Sequence, residues 1–414
     1  MSDKQRILII SNNSFNEETN NGKTLLSFFS VFESAQIAQL FFKNEMPSFK
    51  KFNKYYKLTD KDMILFKFGG IVEFNDTTFQ KPKIKTKKIS DIKRILRELI
   101  WIIGPWRNPK LNNWLNSFNP DIIFFVAGDS IFSYRITSYI QKKFNAKLVT
   151  YITDDYILPR TKDTILGSVR RYIIKNRMQR AIVNSKKYFV ISEAMKKCYS
   201  DVFGKSGIIL NNAQDFFKKT NNSLFPREEI SLVYAGGLHY KRFKTLIDIK
   251  QAIEIYNKKE TKKIAKLYIY SNPEIDKNIV KELEGEYSSF CGLVKEEKLV
   301  EILNSCDIPV FVESFDSDSI EATRLSLSTK ISEYLSLEKP ILAVGPECVS
   351  SMMTLKDVAY CITCTEELNK KVAYLLGNVE LQKKLSVKAS KLYSREYNKK
   401  NIINRFKEEM NFMN

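Results

Sequence analysis

Residues 230–247 read ISLVYAGGLHYKRFKTLI: a β-branched and aromatic run, two adjacent glycines, then a basic residue heading a longer amphipathic stretch. A strand that turns through glycine into a helix is the building unit of parallel α/β sheets. The turn is also where such folds bind phosphate, because the amides of a helix N-terminus point at the ligand. Gly236 and Gly237 let the backbone approach an anion closely, and Arg242 can fork onto its oxygens. A glycine turn of this kind is often purely structural, so its meaning comes from what surrounds it.

On both sides of this stretch the pattern alternates short apolar runs with longer amphipathic ones, as parallel α/β units do. Upstream, strands are expected at 6–11 (RILIIS), 37–42, 121–126, 147–153, 187–192 and 207–210. Helices are expected at about Lys23–Glu33, 130–143, 164–184 and 193–203. The polar, turn-rich run 211–229 reads as a linker. Downstream of 230–235, strands are expected at 265–270, 307–312, 339–344 and 358–361, and the last forty residues read as helical. A chain of 414 residues is too long for one core and suits two domains. The expected fold class is α/β with two Rossmann-like α/β/α domains facing across a cleft. Residues 1–212 would form the first domain, with 396–414 packing back on it, and 213–395 the second.

The net charge is +20, and its placement is uneven. Residues 1–220 hold 38 Lys and Arg against 19 Asp and Glu, while residues 221–414 hold 29 against 28. Such asymmetry points to an anionic surface facing the first domain. No apolar run is long enough to span a bilayer, and MSDKQRILII passes from polar residues straight into a strand, so no signal peptide is expected. Six cysteines in a chain of this size form no disulfide framework, and a reduced cytoplasm is the expected setting. The Cys361–Cys364 pair lacks the second ligand pair that zinc needs.

Other patterns fail on inspection. Asp316-Ser317-Asp318 is a literal DxD, but it sits far along the second domain, in a loop that need not hold metal. Asn21-Gly22-Lys23-Thr24 looks like the end of a Walker loop, yet Glu17 stands where glycine is required. His239 is the sole histidine, which removes Ser-His-Asp and Cys-His schemes and leaves little for acid–base chemistry. Lys330, at the head of the helix ISEYLSL, opposes the helix dipole unless an anion sits nearby. Glu333, one turn inside, could accept hydrogen bonds from ribose hydroxyls, and Asp154-Asp155 follow a first-domain strand.

The run TRLSLSTKISEYLSLEKPILAVGP (323–346) resembles the nucleotide-binding segment of glycosyltransferase family 4, whose members have the GT-B fold. VYAGGLHYKRFKTLI resembles that family's glycine loop. FCGLVKEEKLVEILNSCDIPVFVES (290–314) resembles the stretch that holds the base. YFVISEAMKKCYSDVFG (188–204), followed by Asn211-Asn212, resembles the end of the acceptor lobe. The resemblance implies a metal-independent transferase that moves a sugar from a nucleotide diphosphate to an acceptor hydroxyl, with retention. No cofactor is expected, and the leaving diphosphate would take the acceptor proton. Arg242 and Lys330 would meet the diphosphate. Gly236, Gly237, His239, Gly292, Ser328, Thr329 and Glu333 would surround the donor. Gly22 and Lys23 would form the acceptor-side diphosphate loop, with Asp154 contacting the acceptor. Two positions depart from the family: Leu325 stands where a sugar-contacting glutamate is common, and Gly237 where many members place a phosphate-binding arginine. Glu313 and Glu321 have the paired-glutamate spacing but lie on the wrong side of the loop, and the reading sets them aside.

The stretch Lys81–Arg107 bears on the acceptor. Ile89, Ile92, Ile95, Leu96, Leu99, Ile100 and Ile103 recur at helical spacing, with Lys87, Lys88, Lys93, Arg94 and Arg97 on the remaining face and Trp101 and Trp106 near the end. A basic amphipathic helix with interfacial tryptophans suits an anionic leaflet, although a core-facing helix with a solvated face gives the same pattern. The charge of the lobe favours docking on the cytoplasmic face of a membrane. A lipid-linked or other glycan acceptor of capsule, surface polysaccharide or glycolipid synthesis follows from that together with the resemblance. No nucleic-acid recognition module accompanies the charge. Two rivals are a nucleotide-sugar epimerase on the same fold and a non-catalytic GT-B-like partner of an active transferase.

Overall fold

Unbroken runs of Ile, Leu, Val and Phe make strands buried on both faces, as parallel sheets require. The computed structural model describes residues 5–74, 90–212, 224–226, 228–259, 263–272 and 275–411. It places such strands in two units, Met1–Ala213 with Ile402–Asn414, and Gln214–Asn401.

The first unit runs β1 (Ile7–Ser11), α1 (Asn20–Phe29), β2 (Ile37–Phe41), β3 (Tyr55–Lys57), α2 (Asp60–Ile64), β4 (Gly70–Ile71), α3 (Asp91–Ile103), α4 (Pro109–Phe118) and β5 (Ile122–Ala127). It continues with α5 (Ile131–Phe144), β6 (Lys147–Ile152), α6 (Ile165–Asn184), β7 (Ser185–Val190), α7 (Glu193–Phe203) and β8 (Ile208–Ile209). Its sheet has the order β4-β3-β2-β1-β5-β6-β7-β8, parallel except where β4 turns back on β3. The strand order reverses between β1 and β5, which opens a crevice at their carboxyl ends.

The second unit runs β9 (Glu229–Ala235), α8 (Arg242–Asn257), β10 (Ile264–Tyr270), α9 (Lys277–Leu283), β11 (Ser288–Phe290), α10 (Glu296–Ser305), β12 (Ile308–Val312), α11 (Ser317–Thr323) and α12 (Lys330–Ser336). Then come β13 (Leu342–Val344), α13 (Ser350–Leu355), β14 (Tyr360–Ile362), α14 (Leu368–Gly377), α15 (Val379–Leu392) and a π-helical turn at Tyr393–Tyr397; α16 (Lys399–Asn411) follows and from Ile402 belongs to the first unit. The sheet order β11-β10-β9-β12-β13-β14 is wholly parallel and reverses between β9 and β12. Apolar clusters fill both of its faces.

Several boundaries differ from the sequence reading. Thr19 caps α1 by accepting the Gly22 amide at 3.2 Å, so Gly22 and Lys23 lie in the first helical turn rather than in a preceding loop. The strand expected at 187–192 is shifted to Ser185–Val190. The short strands β3, β4 and β11 were not foreseen. The chain returns to the first unit at Ile402 rather than 396, because Tyr397 is buried in the core of the second. The lysine-rich run 81–89, including Lys87, Lys88 and Ile89, and most of the expected linker lie outside the described residues.

Phe406 on α16 is fully buried and packs against the rings of Phe28, Phe29, Phe32, Phe124 and Phe189. Phe406→Ala should destabilise the first unit by about 3–5 kcal/mol, read as a lower denaturation midpoint.

Candidate functional site

In open α/β sheets, ligands bind outside the carboxyl ends of the strands where the order reverses. In the second unit that point lies between β9 and β12, and the loop Gly236–Lys241 leaves β9 there to enter α8. Arg242 is the first residue of α8. Its Nε and Nη2 donate to Glu313, just beyond β12, at 2.9–3.0 Å, forming a bidentate pair. Glu313 is 2% exposed. Burial pushes its carboxyl pKa upward, and the Arg242 charge pulls it back. The Thr245 hydroxyl anchors the same corner by donating to the Glu313 carbonyl at 2.9 Å.

The other edge of the guanidinium, Nη1, lies 3.0 Å from His239 Nε2. An arginine can only donate, so Nε2 accepts and the imidazole proton sits on Nδ1. His239 is exposed as a residue, yet enclosure of the ring, and then the Arg242 charge, push its pKa down to about 4. The ring is neutral at physiological pH. A Cβ at Gly237 would lie 2.5 Å from His239 Nδ1, which gives a physical reason why no side chain stands there. A Cβ at Gly236 would lie 2.8 Å from the Tyr234 hydroxyl, which itself donates to the Gly237 carbonyl at 2.8 Å. Tyr240 and Lys241 both have left-handed φ, 57° and 56°. Strain of this sort persists where its surroundings hold it. One such hold is Lys241 Nζ, 2.5 Å from Asp316 Oδ2, a contact that keeps the Asp316 carboxyl below its ordinary pKa.

α12 reaches the same strand ends, since the Tyr334 hydroxyl accepts the Ala235 amide at 3.1 Å. Lys330 and Glu333 are paired to each other at 2.5 Å. The anion that the sequence requires beside Lys330 is therefore Glu333 itself. Ser328 accepts the Lys330 amide at 3.3 Å, and its own amide donates to Ser351 at 3.2 Å; Thr329 is the residue before the helix. Gly292, at φ 69°, follows β11 and receives the Ser271 amide at 3.1 Å, while the Gly236 amide donates to Tyr270 at 3.1 Å. Backbone hydrogen bonds thus link Gly292, the end of β10 and Gly236 along one sheet edge. Leu325 is buried.

The first-unit residues gather at their own switch point only in part. The loop after β1 is fixed by buried polar groups: Gln39 accepts the Phe15 amide at 2.8 Å and Glu45 accepts the Ser14 amide at 2.7 Å. Asn16 closes against α1, so a Cβ at Gly22 would lie 2.6 Å from its carboxamide. Lys23 follows in the first turn of α1. Asp154 follows β6 and accepts the Asp155 amide at 2.8 Å. Asp155 is structural, its Oδ1 taking the Ile157 and Leu158 amides at 3.1 Å. Sequence reasoning set Glu313 aside and missed Gln39 and Glu45. The one available signal was a carboxylate at the end of an otherwise apolar strand.

No protein-family model and no curated protein sequence matches the chain. Solved structures do. Anabaena HepE in complex with UDP-glucose is similar at TM-score 0.60 and 10% identity, over 98% of this chain and 99% of that one. A glycosyltransferase from Rickettsia africae is similar at TM-score 0.60 and 13% identity, over 99% and 98%. The E. coli trehalose-6-phosphate structure bound with UDP-2-fluoro glucose is similar at TM-score 0.61 and 11% identity, over 98% of each.

The sole histidine gives a single imidazole NMR signal, expected to titrate near pH 4 and to rise only in part in Arg242→Gln, because the cation is gone while enclosure of the ring, the larger cause, remains. Because the folded ring binds its proton later than the unfolded one, this residue's contribution to stability is lost as pH falls from 6.5 toward 4. Likeness at these identities speaks of fold, and the fold of this chain is GT-B: two Rossmann-like α/β units, with the C-terminal helix returning to the first.

Proposed function

We propose that this chain is a glycosyltransferase that takes a sugar from a nucleotide-diphosphate donor bound at the Arg242 loop of its second unit and passes it to an acceptor hydroxyl. The observation that carries this reading is an arginine locked by a buried glutamate at the first turn of a long helix, at the switch point of a GT-B unit. Two neighbours of that fold were solved with UDP-glucose or its 2-fluoro analogue. Lys241, Arg242 and Lys330 each carry a carboxylate partner. A diphosphate entering there takes Lys330 from Glu333, and Glu333 turns to the ribose hydroxyls. Gly236, Gly237, Gly292, Ser328 and Thr329 give close backbone and hydroxyl approach to the donor, while Gly22, Lys23 and Asp154 serve the acceptor side.

The chemistry is retaining and metal-independent. The bond from the anomeric carbon to the diphosphate oxygen breaks, the acceptor oxygen bonds to the same face, and its proton leaves on the diphosphate. His239, neutral and with Nε2 engaged by Arg242, supplies no general acid at neutral pH. The protein's work is positioning and charge neutralisation. The acceptor is a lipid-linked or other surface glycan of bacterial capsule, polysaccharide or glycolipid synthesis, met at the cytoplasmic face of the membrane. The excess of cations in residues 1–220 supports this setting.

The buried Leu325, standing where a glutamate commonly contacts the sugar, favours a second reading: a partner subunit that binds donor without turnover. Transfer and hydrolysis from a panel of nucleotide sugars separate the two, and turnover without acceptor would indicate an epimerase. Arg242→Ala should lower kcat/KM about 100- to 1,000-fold with the fold intact by circular dichroism. Unchanged turnover in Lys330→Ala would remove that residue from the site. Glu313→Gln, which frees the guanidinium to rotate, should raise KM for the nucleotide sugar; an unchanged KM would deny Glu313 its orienting role.

A further inference from the structure

A helix on a water-soluble unit normally turns its apolar stripe to the core and its charges to solvent. α3 does the reverse. Its polar side faces inward: Glu98 accepts the Ile131 and Phe132 amides at 2.8 and 2.9 Å, capping α5. Arg97 donates to Asp60 at 2.8 Å and to Ser130 at 3.0 Å, and Arg94 lies 3.5 Å from Asp129. Trp101, expected at an interface, is fully buried, stacked 3.7 Å from Phe132 and donating to Asp60 at 2.6 Å. The opposite side carries Ile92, Leu96, Leu99 and Ile103, exposed by 60, 52, 47 and 69%. Their spacing of four, three and four residues makes one continuous ridge.

Neighbouring elements extend the ridge. α6 packs against α3, joined at its cap by the Thr164 hydroxyl donating to Asp91 at 2.6 Å, and exposes Ile165, Leu166 and Val169. α2 also packs against α3, and it and the loop after it expose Ile64, Leu65, Phe66 and Phe68. Apolar surface on this scale marks an interaction site. Cations border it. Lys61 and Lys67 stand exposed on α2 and the loop after it, and with Lys43, Lys57 and Arg97 they line a cavity of about 440 Å³ on the polar side of α3, against two aspartates. Lys93 stands exposed on α3 itself.

We propose that the α3 ridge, with the first turns of α6 and the loop after α2, is a lipid-insertion face that seats the first unit on an anionic bilayer. This rests on the reading of a membrane-surface transferase and assigns its docking surface. Charge complementarity selects the occupant: an apolar ridge edged by lysines matches acyl chains beneath anionic headgroups. α3, at 13 residues, falls short of the roughly 20 needed to span, so it lies in the interface plane.

The test is flotation of the full chain with vesicles of phosphatidylcholine alone and with added phosphatidylglycerol, for wild type and Leu96→Glu/Ile103→Glu. Both sites are solvent-exposed, so an unchanged melting curve establishes that the variant folds. Wild type should float with the anionic vesicles, less so in high salt, and the variant's bound fraction should fall at least about tenfold. Equal flotation of variant and wild type, or none of either, overturns the proposal. So does a wild-type dimer by light scattering that the variant dissolves while neither floats, because the ridge then serves a second copy. Flotation needs no nucleotide sugar. Intact flotation without sugar transfer would sink the transferase reading alone, and transfer to a soluble acceptor without flotation would sink the docking face alone.

Discussion

The buried pair of Arg242 and Glu313 is the constraint on which the candidate site of the second unit depends. Burying two charges is expensive, and such a pair is rarely retained for stability alone. What it secures is orientation. The carboxylate, 71 residues away in sequence, fixes the guanidinium plane at the head of α8, and His239 meets its free edge. The loop between the glycines and the helix then has little freedom: the His239 ring excludes a side chain at Gly237, and two left-handed residues complete the turn. Each of these features restricts the next, which is what a preorganised anion site requires.

The first unit uses buried polar groups at the corresponding loop, where the ion pair, Lys50 with Glu17 at 2.7 Å, is exposed. Its loop after β1 is held by neutral and singly charged buried groups, Gln39, Glu45 and Asn16, each accepting backbone amides. Burial raises the Glu45 pKa, and the Ser14 amide opposes that shift.

Much of this was legible in the sequence, and what was not has physical causes. The strands β1, β2, β5, β6, β9, β10 and β12 were visible because fully buried strands are uniformly apolar and bounded by polar turns. β3, β4 and β11 are two or three residues long and carry no periodicity to detect. Glu313 was seen and set aside, since its role lies in a contact across 71 residues that no local pattern records. Lys330 was read as having an anion beside it, and the carboxylate paired with it is a helical neighbour three residues on. In α3 the periodicity was found, while the direction it faces could not be. A stripe of isoleucine and leucine looks the same whether it is buried or exposed, and only the partners of Glu98 and Trp101 show that here it is exposed.

Pre-paired cations also bear on how tightly such a site holds its donor. Lys241, Arg242 and Lys330 are each paired with a carboxylate. A free phosphate must compete with those partners, so part of its attraction is already spent and simple anions bind weakly. On the proposed function, a nucleotide sugar would bring ribose hydroxyls that reward the displaced Glu333, and so recover what the phosphate alone loses. Discrimination between donor and stray anion would then follow from the same ion pairs.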